Sequence, residues 1–280
     1  MLIRTAIDEA YLELKKKNIK SFLLDSEILM SKVLNKKRDY IILNLDKDLE
    51  PKKLDHYKSL ISQRSEGKPI AYLTGKKYFW KDEFNVNENV LIPRPDTELV
   101  VEQTLKISKN KKGLRILEIG VGSGCVLLSV LKEKKGFTGV GIDISKNCLK
   151  VSKNNINKLK INNKINLYKS DIDNFNFGKY DLILSNPPYI KKTNLKCLEK
   201  DVIKFEPRLA LDGGLDGLSG IRKVIYNSTK LIKEKGILVL EIGFDQADKV
   251  KEILKRNGFY IKEVLKDFAY NNRCIVSIKI

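Results

Sequence analysis

Between residue 113 and the C-terminus, short apolar segments of strand length alternate with segments of helical pattern, and this alternation restricts the fold more than any other feature. The strand-like segments, in chain order, are residues 114–119, 138–143, 165–168, 180–185, 236–242, 259–265 and 274–280. Strands that alternate with helices form a mostly parallel sheet covered by helices on both faces. We therefore predict an α/β fold built on a doubly wound sheet.

The first 75 residues have a helical pattern instead. Helical spacing places four apolar residues on one face, namely Leu2, Ala6, Ala10 and Leu14. Pro51 suits the first turn of a later helix, and Gly67 and Pro69 are expected to end the helical region. The pattern predicts a small N-terminal helical domain over residues 1–75.

Aromatic and β-branched residues separated by Asn and Asp follow, and they predict a β-hairpin linker over residues 76–95. Directly after it, Asp96 or Thr97 can cap a helix that begins at Glu98. Residues 96–280 form the third predicted segment, the α/β domain.

Composition excludes several function classes. The four cysteines form no C-x-x-C pair and His56 is the only histidine, so we expect no metal site, no disulfide framework and no His-activated nucleophile. The N-terminus lacks the apolar core of a secretory signal, and no apolar run approaches the ~20 residues of a membrane span. We expect a cytoplasmic protein with no membrane partner.

The net charge of +19 is strongly basic, and such an excess attracts nucleic acid. The basic residues are nevertheless scattered through a chain that is rich in Lys, Ile and Asn throughout, as a genome-wide composition bias would produce. Charge is therefore weak evidence for a partner, and a weak, nonspecific contact of the basic surface with RNA stays open.

A glycine loop lies between the first predicted strand of the α/β domain and the helix after it. Glycines there allow positive φ and a close approach of a ligand to the backbone, and ligands of such sheets bind beyond the carboxyl ends of the strands. The spacing departs from the G-x-G-x-x-G of dinucleotide sites, and Glu118 before the loop suits a cationic ligand. We assign to a cofactor site the loop residues Gly120, Val121, Gly122, Ser123 and Gly124.

Two acids end the following strands. Asp143 comes 19 residues after Gly124, where a carboxylate can accept hydrogen bonds from both hydroxyls of a ribose. Asp171 is expected beside an adenine amino group, with Ile172 against the ring. Simpler interpretations stay open, because Asp143 can serve as a helix cap and Asp171 as a turn residue.

The most specific signal is Asn186-Pro-Pro-Tyr189, which directly follows the strand 180–185. A conjugated NH2 nitrogen is a poor nucleophile because its lone pair is delocalised. The side-chain oxygen of Asn186 and the carbonyl of Pro187 can accept both N–H groups, which favours the pyramidal, increasingly positive transition state. Pro187 and Pro188 preset these acceptors by restricting the backbone, and Tyr189 can stack on a planar substrate group.

Together the two motifs predict a methyltransferase that uses S-adenosylmethionine and acts on a planar NH2 nitrogen. Asn186 is expected to border the methyl donor as well as the substrate, since positioning supplies much of the acceleration in such a reaction.

With these motifs in place, the chain resembles the release factor glutamine methyltransferases, the HemK-type enzymes, over nearly its whole length. The combination of an Ile-Pro-Arg-Pro-Asp-Thr-Glu stretch with Asn-Pro-Pro-Tyr is highly specific. The segments that carry the resemblance include Pro69–Gly75, Val90–Glu98, Ile116–Cys125, Ser185–Ile190, Phe205–Pro207, Gly214–Leu218 and Leu240–Gly243.

The resemblance implies a Rossmann-like, seven-stranded class I methyltransferase sheet with the last strand antiparallel, preceded by a helical substrate-recognition domain and a β-hairpin. It implies that the substrate is the glutamine of the Gly-Gly-Gln motif in class 1 release factors, methylated on its side-chain nitrogen. S-adenosylmethionine would become S-adenosylhomocysteine, with no metal. By the same resemblance, Gly120–Gly124, Asp143 and Ile172 line the cofactor and Asn186–Tyr189 hold the amide. The family often has an aromatic residue where this chain has Ile172.

Two alternatives remain at the level of sequence. An adenine-N6 methyltransferase acting on DNA or RNA would use the same chemistry, and the basic charge and Tyr189 would suit a flipped base. Against it, no separate target-reading domain is visible. A noncatalytic module that binds the ribosome or RNA would carry both motifs as relics.

Overall fold

The computed structural model describes all 280 residues, which group into two compact units. The first comprises Met1–Lys76 and Glu199–Phe205, and the second Lys77–Leu198 and Glu206–Ile280. The helices are α1 Ile3–Lys16, α2 Phe22–Leu34, α3 Arg38–Leu43, α4 Pro51–Ser65, α5 Ile70–Thr74, α6 Glu98–Ile107, α7 Cys125–Glu133, α8 Lys146–Leu159, α9 Lys200–Phe205, α10 Ser219–Leu231 and α11 Ala247–Arg256. The strands are β1 Lys76–Phe79, β2 Asp82–Asn85, β3 Arg115–Ile119, β4 Thr138–Asp143, β5 Ile165–Lys169, β6 Tyr180–Ser185, β7 Ile232–Glu241, β8 Phe259–Lys266 and β9 Asn272–Lys279.

The first unit contains α1 to α5 together with α9. The apolar face of α1 is buried as its spacing indicates, except that Leu2 lies outside the helix at the N-cap and is exposed. The helical region does not end at Gly67 and Pro69, because Pro69 occupies the N-cap of the additional helix α5. Proline is tolerated at a helix start, where no N–H partner is required.

The second unit is built on a seven-stranded sheet with the order β5-β4-β3-β6-β7-β9-β8. Only the last strand, β9, is antiparallel to its neighbours β7 and β8. The predicted α/β fold with an antiparallel last strand is therefore confirmed. The strand β7 begins at Ile232 rather than at residue 236, and the register with β6 shifts between Tyr180 and Leu182.

Helices cover both faces of this sheet. Successive side chains of a strand point to opposite faces. Leu117 of β3 accordingly packs in a cluster with α10 and α11, whereas Ile116 packs in a cluster with α6 and α7. Phe79 and Phe84 of the β1–β2 hairpin belong to the second cluster, so this hairpin is part of a packed core and not a free connection.

The strand order determines which loops meet. Because β4, β3 and β6 are neighbours and parallel, the loops after their carboxyl ends share one edge of the sheet. The glycine loop, residues 120–124, and Asn186 lie in two of these loops, and Asp143 is the last residue of β4 at the same edge. The end of β5 adjoins that of β4, and the end of β7 adjoins that of β6. None of the helices combines the length and apolar character needed to cross a lipid bilayer.

Candidate active site

A cavity of about 450 Å³ opens at this edge of the sheet, within the second unit. The structure brings ten of the twelve site residues proposed from the sequence to its wall: Gly120, Val121, Gly122, Ser123, Asp143, Asp171, Ile172, Asn186, Pro187 and Pro188. Gly124 and Tyr189 do not line it. No group of His, Cys, Asp and Glu side chains in the chain is arranged to hold a metal ion.

The glycine loop turns directly after β3, and the carbonyl of Ile142 accepts hydrogen bonds from the N–H groups of Gly120 at 2.9 Å and Val121 at 3.0 Å. Gly120 has φ +77°, and a Cβ at that position would meet no atom within 4 Å, so the space beside it is open. Gly124 has φ +83°, and its Cβ would lie 2.9 Å from Leu128 Cδ1. Gly124 therefore serves the close packing of α7, not the cavity wall.

Asp143 connects two loops. Its Oδ2 accepts from the Gly122 N–H at 3.0 Å, and its Oδ1 accepts from the Ser145 N–H at 2.8 Å. The cap of α8 is Ser145, whose hydroxyl accepts from Cys148, so Asp143 is not itself the cap. Burial raises the pKa of Asp143, and the hydrogen bonds from Ser145 and Gly122 oppose that rise. Each carboxylate oxygen retains a further lone pair for a ligand.

Asp171 and Ile172 follow β5. The Asp171 Oδ1 accepts from the Asp173 N–H at 3.1 Å and starts a short 3-10 turn, while the same residue lines the cavity. Asp171 is therefore both a turn residue and a residue of the cavity wall, so the two interpretations of its sequence position do not exclude each other. Ile172 is buried in the core cluster and presents an aliphatic surface to the cavity.

Glu118, near the end of β3, is a buried carboxyl in the cavity wall. Burial raises its pKa from 4.5 to about 8; the Leu127 N–H, which donates to its Oε2 at 3.1 Å, opposes the rise, and Asp143 adds to it. A cation bound in the cavity would favour the ionised form. A positively charged ligand would thus lower the Glu118 pKa, and the ionised carboxylate would in turn attract that ligand.

Asn186 is fixed by a residue far away in the chain. Its Nδ2 donates to the Thr97 hydroxyl at 3.1 Å, and the two residues are 89 positions apart. No hydrogen bond within the protein engages the Asn186 side-chain oxygen or the Pro187 carbonyl. The two acceptors proposed from the sequence are therefore available where Asn186 and Pro187 line the cavity.

Tyr189 differs from the sequence-based expectation that it stacks on a substrate in the cavity. It packs against the core cluster, its hydroxyl donates to Glu241 Oε1 at 3.2 Å, and its carbonyl accepts from Gln246 at 2.9 Å. Burial raises the Tyr189 pKa, and the negative charge of Glu241 raises it further. The geometry makes Tyr189 an anchor of the diproline corner.

Sequence reasoning missed three polar residues around the corner: Thr97, Glu206 and Glu241. Asp96 or Thr97 was expected to cap α6; Thr97 occupies the N-cap position, but its side chain makes no capping hydrogen bond. Glu206 accepts from the Ile92 N–H at 3.1 Å and forms an ion pair with the cavity residue Arg94. All three lie in segments that carry the family resemblance, and their place in those segments was the one feature of the sequence that could have indicated a role at the site.

Two family models match the chain. The PrmC N-terminal domain matches residues 5–75, and the Methyltransferase small domain matches residues 96–216.

Similar proteins cover the whole chain. The Release factor glutamine methyltransferase of Clostridium acetobutylicum is 36% identical over 100% of this chain and 99% of its own length. The Bifunctional methyltransferase of Rickettsia felis is 33% identical over 98% of this chain, which spans 57% of that protein. Among solved structures, the ribosomal protein L11 methylase of Lactobacillus delbrueckii subsp. bulgaricus shares the fold, with a TM-score of 0.52, 17% identity, and coverage of 73% of this chain and 90% of that one. Because the identity extends from end to end, this chain belongs to the release factor glutamine methyltransferase family.

Proposed function

We propose that the chain transfers a methyl group from S-adenosylmethionine to the side-chain amide nitrogen of the glutamine in the Gly-Gly-Gln motif of class 1 release factors. The observation that carries the proposal is the state of Asn186: its NH2 is bound to Thr97, and its oxygen is unpaired in a residue that lines the cavity beside the glycine loop.

The cavity suits an adenosine with a cationic tail. An open backbone at Gly120 and Gly122 admits close approach, Asp143 keeps acceptor capacity for ribose hydroxyls, and Ile172 offers an apolar surface for a purine. We assign the cofactor site to Gly120, Val121, Gly122, Ser123, Gly124, Asp143, Asp171, Ile172 and Asn186, with Gly124 acting through the packing of the loop. When bound, S-adenosylmethionine supplies a methyl group activated by a sulfonium and leaves as S-adenosylhomocysteine.

The protein's own contribution is to hold an unreactive nitrogen. Asn186 and Pro187 accept the two N–H groups of the glutamine amide through oxygen atoms that have no partner in the protein. These bonds strengthen as the nitrogen becomes pyramidal and positive, so they stabilise the transition state more than the bound substrate. Pro188 keeps the corner extended, and Tyr189 anchors it through Glu241.

We also propose a division of labour along the chain. Residues 1–75 form a substrate-recognition domain, residues 76–95 a hairpin connection, and residues 96–280 the S-adenosylmethionine-dependent catalytic domain. The helical unit has its own buried core, and the cavity lies in the second unit. Because release factors work on ribosomes, we place the reaction in the cytoplasm.

The experiment compares substrates directly. Purified protein and S-adenosylmethionine with a labelled methyl group are offered unmodified class 1 release factor, the same factor with the motif glutamine changed to Glu, duplex DNA, or RNA. We expect label in the unmodified factor alone, and mass spectrometry of its digest should place it on the glutamine side chain. Label in DNA or RNA with none in the factor would overturn the proposal in favour of an adenine-N6 methyltransferase.

A further inference from the structure

A buried pair of polar side chains, Thr97 and Glu241, lies at the diproline corner; Thr97 lines the cavity and Glu241 lies behind it. Thr97 is 4% exposed and Glu241 is 1% exposed. Glu241 ends β7, next to the strand that Asn186 follows, and its only role described so far is to accept from the Tyr189 hydroxyl.

The first link is the hydrogen bond in which Asn186 Nδ2 donates to the Thr97 hydroxyl. A threonine hydroxyl has one proton and can either donate or accept along a given direction. As an acceptor from Asn186, the hydroxyl must direct its own proton elsewhere. A buried hydroxyl without an acceptor for that proton would be costly.

The second link is Glu241. Its Oε2 is buried without a hydrogen-bond partner, and the Thr97 hydroxyl, which accepts from Asn186, has a proton to direct elsewhere. Burial raises the Glu241 pKa to about 7, and the neighbouring Thr97 hydroxyl opposes that rise. An ionised carboxylate can only accept. In its ionised form, Glu241 therefore draws the Thr97 proton toward itself and leaves the Thr97 lone pair for the Asn186 NH2.

Two neighbours of Glu241 favour its ionised form and oppose the rise in pKa that burial causes. Tyr189 donates to Oε1, and Arg273, held by Asp267 at 3.1 Å and by Asp96 at 3.6 Å, lies close enough for its positive charge to lower the Glu241 pKa. Among the remaining titratable neighbours, the charge of Asp96 adds to the rise in the Glu241 pKa, and Cys125 and Cys274 are a half-buried and a buried thiol.

We propose that Thr97 and Glu241 are positioning residues, which together hold the Asn186 amide with its NH2 turned inward and its oxygen toward the substrate. The two ends of an asparagine amide have nearly the same shape, so packing alone does not select between them. A reversed amide would present N–H groups to the N–H groups of the substrate. The inference rests on the proposed function, because the orientation of the Asn186 amide matters only if its oxygen accepts from the NH2 group of the substrate.

The central variant is Thr97→Val, which keeps the branched shape and removes the hydroxyl. Asn186 then loses the acceptor for its NH2. We expect the turnover number with release factor to fall by about 10-fold or more, as for loss of an aligned transition-state hydrogen bond. The dissociation constant of S-adenosylmethionine, measured by calorimetry, and the melting temperature should stay near those of the wild type.

Two matched variants separate the hydroxyl from the fold. Thr97→Ser restores the hydroxyl and should recover most of the rate, whereas Thr193→Val removes an exposed hydroxyl elsewhere and should change nothing. Wild-type turnover by a folded Thr97→Val protein would overturn the proposal. It would also be overturned if Thr97→Ser were as slow as Thr97→Val, because shape and not the hydroxyl would then matter.

Glu241→Gln provides the second arm and keeps the proposal testable if Thr97→Val fails to fold. Its amide would donate to Thr97, push the Thr97 proton toward Asn186 and favour the reversed amide. We expect slow turnover with an unchanged Michaelis constant for the donor; wild-type turnover would remove Glu241 from the proposal.

A direct reading comes from the protons of the Asn186 side-chain NH2, observed by nuclear magnetic resonance. Exchange of these protons with solvent should be slow in the wild type and in Thr97→Ser. It should be fast in Thr97→Val and in Glu241→Gln. Equal exchange in all of them would contradict the proposal.

If the wild type does not methylate release factor at all, the proposed function fails. If the wild type does methylate it and the variants have the same turnover as the wild type, only the positioning inference fails.

Discussion

At the scale of single residues, the site uses side chains that serve the local backbone and the cavity together. Asp143 binds the N–H groups of Gly122 and Ser145 while it lines the cavity. Asn186 binds Thr97 with one end of its amide and leaves the other free. Such double use restricts the residue type, because a replacement must satisfy both partners.

Asn186→Ala removes an acceptor that we assign to the transition state. We expect turnover with release factor to fall by about 10²–10³-fold, while the calorimetric affinity for S-adenosylmethionine changes much less. Asn194→Ala, on the exposed surface that follows the corner, should behave like the wild type. Near-normal turnover of Asn186→Ala would refute the acceptor role.

Asp143→Ala tests the ribose assignment. Losing hydrogen bonds to a charged acceptor should weaken S-adenosylmethionine binding by about 10- to 100-fold in calorimetry. Asp143→Asn keeps one acceptor oxygen and should fall between the alanine variant and the wild type. The assignment fails if the alanine variant binds the donor as tightly as the wild type.

At the scale of elements, the connection from β3 to α7 depends on backbone conformations that glycine alone adopts easily. Gly120, Gly122 and Gly124 all have positive φ. The same strand carries Glu118, and β7 ends in Glu241, so two buried carboxyls lie at the carboxyl edge of the sheet.

Gly124→Ala should destabilise the connection. The new Cβ would meet Leu128 Cδ1 at 2.9 Å in a left-handed backbone conformation. We expect a loss of about 1–2 kcal/mol in the free energy of unfolding and weaker donor binding. Gly136→Ala is the matched control, because its Cβ would have no neighbour closer than 3.9 Å and φ is not positive. Equal stability of the two variants in denaturant titrations would contradict the prediction.

The two buried carboxyls should make stability depend on pH. Burial raises the pKa of Glu118 to about 8 and that of Glu241 to about 7, both from 4.5. Because both pKa values are raised, each carboxyl binds its proton more tightly in the folded state than in the unfolded state. The stability that the two carboxyls contribute is therefore complete below pH 4.5 and is lost as the pH rises through about 7 to 8.

We expect Glu118→Gln to reduce the fall in melting temperature between about pH 5 and pH 8, because the group that must ionise inside the fold is removed. The surface variant Glu102→Gln should retain the wild-type slope. An unchanged slope in Glu118→Gln would show that the Glu118 pKa is not raised in the folded protein.

At the scale of the whole molecule, two units have separate cores. The helical unit contains a buried ion pair between Asp25 and Arg64 at 2.7 Å, with side-chain exposures of 3% and 10%. The catalytic cavity lies entirely in the other unit. Damage to the first core should therefore spare the donor site.

Asp25→Ala leaves the Arg64 charge buried without its partner, which typically costs about 3–5 kcal/mol. We expect calorimetric unfolding to begin at lower temperature, a higher Michaelis constant for release factor and an unchanged affinity for S-adenosylmethionine. Asp55→Ala, an exposed acid on α4, is the control. Loss of donor affinity in Asp25→Ala would contradict separate roles for the two units.

The features of this protein that could be predicted from its sequence are those that depend on interactions between residues close together in the chain. The alternation of strands and helices, the glycine loop and the diproline corner are contiguous patterns, because propensity, φ preferences and proline restraints act within a few residues. These patterns were sufficient to predict the sheet, its antiparallel last strand through family resemblance, and the loops now found along one edge. Leu2 was expected on the same helical face as Ala6, Ala10 and Leu14, but the helix begins one residue later and Leu2 is its N-cap.

Only the tertiary structure determined which side chains form hydrogen bonds with one another at the site. Asn186 meets Thr97 across 89 positions, Arg94 meets Glu206 across 112, and Tyr189 turns toward Glu241 across 52. Each pairing depends on which strand ends become neighbours, and the order β4-β3-β6-β7 is a property of the whole sheet. The chain's local chemistry therefore determined what the site contains, whereas strand order decided how its side chains are held, because hydrogen bonds form between neighbours in space.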